Sequence, residues 1–325
     1  MTKALGLMSG GLDSTLAAMT LMRQGIEVTG ISFVTPFFHA EKARKAAVAI
    51  GHPLMIEDIS QIHLDMLKQP KYGYGRNMNP CIDCHALMFQ LAGKRMHEGG
   101  FDFLFSGEVL GQRPMSQNGN ALKAVAKHSG FPDLILRPLS ARLLPATAME
   151  KTGLVDRDQL LDIQGRSRKR QQALAQEWGL KELPAIAGGC LLTESGFSNQ
   201  LRDLLTHHPE AGVQDIQLLK IGRQFRLTAD VKLVVGRNRE DNQALETFRT
   251  PDKLLLRCKN FSGPLGLLCG RIDEASVRQA AAIVASYGQG KMEAQLEVLC
   301  MSPDTTTSLT VAPLPREESI GMLLR

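Results

Sequence analysis

A glycine turn near the amino terminus constrains the fold more than any other feature of this 325-residue sequence. Residues Ala4 to Met8 are apolar, and they lead directly into the string SGGLDS at residues 9–14. Apolar residues then recur at helical spacing as far as Met22. This pattern predicts a strand, a turn and a helix, an arrangement that points backbone N–H groups and the positive end of a helix dipole at an anion.

Alternating strand and helix patterns continue through the first half of the chain. Further strands are predicted at residues 28–34, 54–56, 101–105 and 134–136, with a helix at 41–50. This alternation predicts an α/β fold with a doubly wound parallel sheet and ligands at the carboxyl ends of its strands. From about Phe197 short β-rich segments follow, at 224–227, 232–235, 253–257 and 295–300. We therefore predict two domains, residues 1–195 and a smaller α+β domain at 196–325.

Composition excludes some classes of protein. Hydrophobic residues make up 43% and charged residues 22% of the chain, and no apolar run reaches the roughly 18 residues that a membrane-spanning helix needs. No secretory signal pattern is present, so we expect a cytoplasmic protein without a membrane role. The net charge of +5 permits a polyanionic partner but does not require one. In a reducing compartment, a close pair among the six cysteines indicates a metal or catalytic site.

The SGGLDS turn supplies groups suited to phosphate. Glycines let the backbone approach a phosphate closely, Ser9 and Ser14 add hydroxyl donors, and Asp13 suits a ligand of Mg²⁺ or an orienter of the loop. The alternative is an ordinary glycine turn in which Asp13 or Ser14 caps the helix. The string resembles the PP-loop of the N-type ATP pyrophosphatases, and it lacks the Gly-Lys-Ser/Thr of a Walker A loop. The resemblance implies ATP and Mg²⁺ as cofactors, Asp13 as a catalytic residue, and nucleotide binding by Ser9, Gly10, Gly11, Asp13 and Ser14.

Three of the six cysteines form the second candidate site. Cys81 and Cys84 lie three positions apart in NPCIDCH at residues 79–85, and Cys190 follows two glycines. When the intervening turn is tight, this spacing lets both sulfurs face one metal or cluster. A structural zinc site is the alternative, with His85 or another cysteine as the fourth ligand. Cys258, Cys269 and Cys300 lie in apolar, strand-like sequence and are interpreted as buried, inert thiols.

The cysteine segments also resemble tRNA-thiolating enzymes. Residues 78–89 resemble the NPCxxC region of the 2-thiouridylases, which implies a catalytic role for Cys84, and GGC at 188–190 resembles their second reactive cysteine. A subset of PP-loop sulfur-transfer enzymes instead holds a [4Fe–4S] cluster on three cysteines, a role that fits Cys81, Cys84 and Cys190. We favour the cluster over a Cys190 persulfide resolved by Cys84, because Cys81 has no role in the persulfide scheme. We expect an external sulfur donor, either inorganic sulfide or a cysteine desulfurase.

A further segment falls on the predicted ligand edge of the sheet. SGEVLGQ at residues 106–112, continued by Ser116-Gln117, follows the predicted strand 101–105. Taken singly, its glycines read as turn residues and its polar residues as surface groups. Together with residues 136–139 it resembles the 4-thiouridine synthetases, which implies nucleotide contacts by Gly107 and Gln112. Those synthetases carry an RNA-binding region before the PP-loop, so here we expect the carboxyl-terminal half to hold the RNA.

That half contains VVGRNREDN at residues 234–242 and FSGP at 261–264. These segments resemble the NFACT-type RNA-binding module, which implies RNA contacts by Arg237 and Asn238. The alternative is a solvated basic face. We expect a tRNA uridine thiolase that adenylates a uridine carbonyl and replaces its oxygen with sulfur, at C4. The rivals are C2 thiolation through a persulfide, sulfur transfer to or amidation of a small metabolite, a non-catalytic RNA-binding protein and a zinc-stabilised adaptor.

Overall fold

The computed structural model describes residues 1–180 and 189–325. Its contacts divide the chain into two compact units, Met1–Thr193 and Glu194–Arg325. Within the described residues, no helix combines the length and the apolar character needed to cross a membrane.

The first unit alternates strands with helices. Its strands are β1 (Lys3–Leu7), β2 (Glu27–Val34), β3 (Leu54–Asp58), β4 (Phe103–Ser106) and β5 (Ile135–Leu136). Its helices are α1 (Leu12–Met22), α2 (Glu41–Ile50), α3 (Ser60–Lys68), α4 (Cys81–Gly99), α5 (Gly119–Ser129), α6 (Ala148–Lys151) and α7 (Lys169–Glu177). Short 3₁₀ turns lie at Ala141–Leu143, Arg157–Gln159 and Leu191–Thr193.

The strands form a parallel sheet in the order β3-β2-β1-β4-β5. Helices cover both faces, because α1 and α7 contribute to one buried apolar cluster and α4 and α5 to the other. The predicted doubly wound α/β fold is confirmed. Strand order reverses between β1 and β4, where Leu7 pairs with Ser106. A crevice forms at such a switch point, outside the carboxyl ends of the two strands.

The second unit is an α+β domain, as predicted. Its strands are β6 (Arg223–Arg226), β7 (Val231–Val235), β8 (Leu254–Cys258), β9 (Gly266–Gly270), β10 (Leu296–Met301) and β11 (Thr306–Val311). Its helices are α8 (Ser195–His207), α9 (Val213–Leu219), α10 (Arg239–Thr247), α11 (Glu274–Ser286) and α12 (Arg316–Ser319), with a 3₁₀ turn at Ile320–Met322. The strands form an antiparallel sheet in the order β11-β10-β8-β9-β7-β6, with apolar clusters on both faces.

Two strands of this sheet were not predicted from the sequence. β9 is short and bounded by Gly266 and Gly270, and β11 is a largely polar edge strand. Neither shows the alternation of apolar and polar residues that marks a half-buried strand. β9 forms because it lies between β8 and β7, and β11 forms because β10 offers it a free edge.

Candidate functional site

The PP-loop connects β1 to α1 at the crevice. Gly10 has φ of +71°, and a Cβ there would lie 2.1 Å from the carbonyl carbon of Lys42 in α2, so a larger residue does not fit. The hydroxyls of Ser9 and Ser14 lie 3.2 Å apart. Gly11 is the N-cap of α1 and has no side chain to cap it. The first N–H groups of α1 are therefore directed towards any anion that enters the loop.

Polar side chains from two other segments converge on Asp13. Gln112 Nε2 donates to Asp13 Oδ2 over 2.7 Å, and Gln171 Nε2 lies 3.4 Å from Oδ1. The guanidinium of Arg168 approaches the same carboxylate, with 3.6 Å between Nε and Oδ2. The structure thus brings Gln112 to the PP-loop, and its contact with nucleotide stays a prediction.

The turn after β4 is pressed against the PP-loop. A Cβ on Gly107 would lie 2.4 Å from the backbone nitrogen of Ser14, so glycine is required for this close approach. The next residue, Glu108, is buried and accepts hydrogen bonds from Arg137 Nε at 2.9 Å and His85 Nδ1 at 2.7 Å. Burial acts to raise the pKa of Glu108, but the Arg137 charge and the His85 contacts outweigh it and lower this pKa to about 2.

Glu108 therefore joins two candidate sites. His85 belongs to α4, directly after Cys84, and Glu108 directly follows the glycine that contacts the PP-loop. The buried Glu108–Arg137 pair is fixed at the carboxyl ends of β4 and β5. Through the hydrogen bond from His85, this pair fixes the position of the amino-terminal end of α4 beside the nucleotide crevice.

The CxxC cysteines begin helix α4. The tight turn expected between them is the first turn of this helix, where Cys81 and Cys84 lie on one face because they are three residues apart. Asn79 Nδ2 donates to Cys81 Sγ over 3.2 Å, and His63 Nε2 lies 3.3 Å from Cys84 Sγ. Burial, followed by the thiols of Cys190 and Cys81, raises the pKa of Cys84. The thiols of Cys81 and Cys190 are therefore close enough to that of Cys84 to influence its pKa.

Cys190 lies just after the part of the chain that is left undescribed. Gly188, the first glycine of the predicted GGC segment, falls outside the described residues. The Cys190 carbonyl accepts hydrogen bonds from the backbone N–H and the hydroxyl of Thr193, at 3.1 and 2.7 Å. The next residue, Leu191, donates its backbone N–H to the carbonyl of Phe37, which attaches this turn to the segment after β2.

A cavity of about 430 Å³ lies beside two of the three thiols. Cys81 and Cys190 line it together with Gln112, which donates to Asp13. Its wall also includes Tyr72, Tyr74, Arg113 and Met115. Asp83, inside the CxxC motif, anchors the tyrosine segment by accepting hydrogen bonds from the backbone N–H groups of Lys71 and Tyr72 at 3.1 and 3.0 Å.

Among residues 1–180 and 189–325, no group of three or more His, Cys, Asp or Glu side chains is arranged to hold a metal ion. His85, which the zinc hypothesis offered as a fourth ligand, hydrogen-bonds to Glu108. The donor chemistry nevertheless suits a thiolate-bound group, because Cys81 and Cys190 line one cavity and both contribute to raising the pKa of Cys84.

Comparison with known proteins identifies both halves of the chain. Residues 1–142 match the family of the thiamine biosynthesis protein (ThiI), and residues 222–321 match the NFACT protein RNA binding domain. The first unit therefore contains a region that matches the ThiI family, and the second unit contains a region that matches the NFACT RNA-binding domain; we call them the ThiI-type and NFACT-type domains. The resemblances to the PP-loop thiouridine synthetases and to the NFACT-type module are confirmed.

Individual relatives match over part of this chain. A tRNA-specific 2-thiouridylase MnmA of Sulfurimonas denitrificans is 35% identical over 118 residues, which are 33% of this chain and 35% of that protein. A probable tRNA sulfurtransferase of Staphylococcus aureus is 28% identical over 144 residues, 42% of this chain and 34% of that protein. This chain thus spans about a third of the length of these relatives.

Solved structures resemble the chain more distantly. A 4-thiouridine synthetase in complex with RNA and bound ATP aligns with a TM-score of 0.40 and 20% identity, covering 66% of this chain and 52% of that one. A predicted subunit of a tRNA methyltransferase from Methanocaldococcus jannaschii aligns with a TM-score of 0.37 and 14% identity, covering 55% and 76%.

The two RNA-contact candidates of the NFACT-type domain have structural partners. Arg237 donates from Nε to Asp241 Oδ2 at 2.7 Å and from Nη2 to the Lys220 carbonyl at 3.2 Å. Asn238 is the N-cap of α10 and accepts a hydrogen bond from the Asp241 N–H at 2.8 Å. The VGRN segment therefore builds a helix start, and contact of these side chains with RNA stays a prediction.

The remaining cysteines of the NFACT-type domain lie in its sheet, on β8, β9 and β10. Cys258 and Cys300 are buried, and burial raises the pKa of both thiols. Cys269 is half-buried, and burial raises its pKa to about 11. A raised pKa favours the protonated thiol, which agrees with the interpretation of these three cysteines as inert. The pKa of Cys84 is also raised, but Cys84 differs because the thiols of Cys190 and Cys81 contribute to that rise, and neighbouring thiols can bind one metal or cluster together.

Sequence reasoning missed several residues of the ThiI-type site. His63 is buried between the rings of Phe37 and Phe38 and reaches Cys84, yet nothing distinguishes it from a helix-core residue in sequence. Arg168 and Gln171 flank the start of α7, within a basic run whose composition gave no indication of contact with the PP-loop. The aromatic pair Tyr72 and Tyr74, just before NPCIDC, was the one available signal for the cavity wall.

Proposed function

We propose that this chain is an ATP-dependent tRNA uridine thiolase. In this proposal ATP binds at the PP-loop, a uridine enters the cavity beside it, and sulfur replaces the carbonyl oxygen at C4. The NFACT-type domain supplies affinity for tRNA, and sulfur comes from an external donor. The family matches support the general activity, and the ring position and sulfur chemistry are our own proposal.

A single cavity that touches both candidate sites carries this proposal. Gln112, whose amide donates to Asp13, shares the cavity wall with Cys81 and Cys190. In a thiolation reaction, the oxygen that is activated and the sulfur that replaces it are bonded to the same carbon. The nucleotide site and the sulfur site must therefore open into the same cavity. The flanking Tyr72 and Tyr74 rings suit a planar base, because every base offers a face for stacking.

The first step of the proposed reaction activates the base. The uridine carbonyl oxygen attacks the α-phosphorus of ATP, a new P–O bond forms, and the bond to the β-phosphate breaks to release pyrophosphate. The proton on N3 of the uridine is lost to solvent in the same step, which leaves a neutral adenylated base. The N–H groups at the start of α1 and the hydroxyls of Ser9 and Ser14 stabilise the negative charge of the phosphates. Asp13 is the residue that would hold Mg²⁺, whose positive charge would add to this stabilisation.

The second step replaces the activated oxygen. Hydrosulfide adds to C4, the C–O bond breaks, and AMP leaves with the electron pair of that bond. The proton of the new thiol moves to N3, which restores the N–H and leaves a C=S group. The buried Glu108–Arg137 pair keeps α4 and its cysteines in place during this exchange.

Cys81, Cys84 and Cys190 would hold the cluster that we favour. The thiols of Cys81 and Cys190 are close enough to that of Cys84 to influence its pKa, and thiolates are the ligands that iron–sulfur clusters require. Bound by these three thiolates, a cluster would supply iron to which sulfide from the external donor could bind. C2 thiolation through a persulfide is the second candidate, supported by the 35% identity to a 2-thiouridylase.

Metal analysis and product analysis together test the proposal. Protein purified without oxygen is analysed for iron and labile sulfide and compared with a Cys81→Ala/Cys84→Ala/Cys190→Ala variant. Cys269→Ala is the matched control, since Cys269 lies in the NFACT-type domain. We expect about four iron and four sulfide per chain, retained in the control and lost in the triple variant.

The RNA product decides the ring position. Unmodified tRNA is incubated with ATP and sulfide, digested and analysed for 4-thiouridine and 2-thiouridine, while AMP and pyrophosphate are measured. 4-Thiouridine with equal amounts of AMP and pyrophosphate supports the proposal. 2-Thiouridine as the product would overturn the C4 assignment, and zinc in place of iron would overturn the cluster assignment. Failure to modify any tRNA, or to release pyrophosphate, would overturn the proposed thiolase activity.

A further inference from the structure

The charge of the PP-loop aspartate is balanced by an arginine that lies outside both family matches. Arg168 lies just before α7, with Nε 3.6 Å from Asp13 Oδ2. Asp13 also accepts from Gln112 and Gln171, so its charge is balanced and hydrogen-bonded without any ligand. A bound nucleotide would add several negative charges beside this carboxylate, and a nearby cation is needed to offset their repulsion.

Two buried polar atoms beside Asp13 lack hydrogen-bond partners among the described residues. One is the donor Arg168 Nε, and the other is the acceptor Gln171 Oε1, on a side chain that is fully buried. Buried polar groups almost always have partners, so unpaired ones mark a place where a ligand or water belongs. A donor and an acceptor together suit a hydrated phosphate, which accepts through its oxygens and donates through bound water.

The other cations of the same basic run are used differently. Arg170 donates to Asp162 Oδ1 at 2.6 Å on the surface, and Arg166 and Lys169 are exposed. Only Arg168, among the cations of residues 166–170, reaches the PP-loop, and its side chain is 22% exposed. Its partner Asp13 belongs to the first turn of α1, where an anion is stabilised by the helix N-terminus.

We propose that Arg168 is a phosphate-binding residue that moves from Asp13 to the β- and γ-phosphates of ATP. Its guanidinium neutralises the pyrophosphate that leaves when the α-phosphorus is attacked, and its departure frees Asp13. This inference rests on the ATP chemistry proposed above. It explains why Arg168 is held close to the carboxylate without a hydrogen bond from Nε, since such a contact is easily exchanged for a phosphate oxygen.

Nucleotide binding, measured by calorimetry on the full chain, tests this role without relying on turnover. Arg168→Ala, Arg168→Lys and the control Arg170→Ala are titrated with ATP and with AMP in the presence of Mg²⁺. Loss of a hydrogen-bonded charge pair predicts ATP affinity about 10- to 100-fold weaker for Arg168→Ala. AMP lacks the β- and γ-phosphates, so we expect its affinity to stay within about twofold in the same variant.

Arg168→Lys keeps the charge but not the planar fork, and we expect an intermediate loss of ATP affinity. Unchanged AMP binding shows that the variants are folded. The inference is overturned if Arg168→Ala binds ATP like the parent chain, if it loses ATP and AMP equally, or if Arg170→Ala loses as much ATP affinity. A parent chain that binds neither nucleotide would overturn the proposed function together with this inference.

Discussion

Glu108 and Arg137 form an ion pair at the centre of the ThiI-type domain, with 2.9 Å between Oε2 and Nε. Their side chains are only 4% and 8% exposed, so solvent screens the pair little. His85 adds a hydrogen bond to the other oxygen of Glu108. Glu108→Gln keeps the shape of this residue and removes its charge, leaving the buried guanidinium uncompensated.

The cost can be obtained in two ways. Removing one member of a buried pair costs about 3 to 5 kcal/mol. The pKa of Glu108 falls from 4.5 to about 2, and at about 1.4 kcal/mol per unit this corresponds to about 3 kcal/mol. In a domain of this size each kcal/mol lowers Tm by about 2 to 4 °C, so we expect a fall of about 6 to 20 °C.

Thermal unfolding at pH 7, followed by calorimetry, measures this fall. Asp162→Asn is the control, because it breaks an exposed pair with Arg170 and is expected to cost at most about 1 kcal/mol. The folded pKa of Glu108 lies below its unfolded value, so its stabilisation is complete above pH 4.5 and is lost as pH falls towards 2. The difference between parent and Glu108→Gln should therefore narrow over that pH range.

Two results would refute this reasoning. The first is a Glu108→Gln Tm within about 2 °C of the parent, which is smaller than the expected effect of 1 kcal/mol. The second comes from the double variant Glu108→Leu/Arg137→Met, in which no buried charge is left unpaired. We expect this double variant to be more stable than either of its single variants, Glu108→Leu and Arg137→Met, and a deficit as large as the sum of those two losses would mean that the pair is not coupled.

Three other predictions follow from the same structure. Gly107→Ala places a Cβ 2.4 Å from the Ser14 nitrogen, so we expect this variant to lose ATP binding, as measured by calorimetry. The control Gly119→Ala has no described atom within 4 Å of its Cβ and should bind ATP like the parent chain. Lys232 is buried and its pKa is lowered to about 8 from 10.5, so the parent gains stability as pH rises between these values. Lys232→Met should remove that dependence and raise the free energy of unfolding at pH 7 by about 3 kcal/mol, at about 1.4 kcal/mol per pKa unit. A variant as stable as the parent chain at pH 7, with the same pH dependence, would contradict this. Asn238→Ala should lower the free energy of unfolding of the second domain by about 1 kcal/mol. Asn238→Asp keeps an N-cap oxygen and should lower it less, and equal losses in the two variants would show that the N-cap hydrogen bond does not stabilise α10.

The parallel sheet could be predicted because its strands are buried on both faces and therefore read as continuous apolar runs. Strands β9 and β11 could not, because neighbouring strands rather than local pattern determine them. The PP-loop and CxxC were likewise visible as local strings. In contrast, the contacts of Gln171 and Arg168 with Asp13 span more than 150 positions of sequence, and no local pattern encodes such a distance.

The sequence by itself determined the glycine turn at residues 9–14, the order of strand and helix, and the three cysteines as a group, because each depends on backbone freedom, periodicity or thiol chemistry carried by neighbouring residues. Only the tertiary structure decided that Gly107 packs on the PP-loop, that Glu108 links Arg137 to His85, and that Arg168 neutralises Asp13. These contacts arise where the carboxyl ends of β1 and β4 meet and where α7 packs beside α1. Charges and polar groups distant in sequence are buried together there, and burial obliges them to pair.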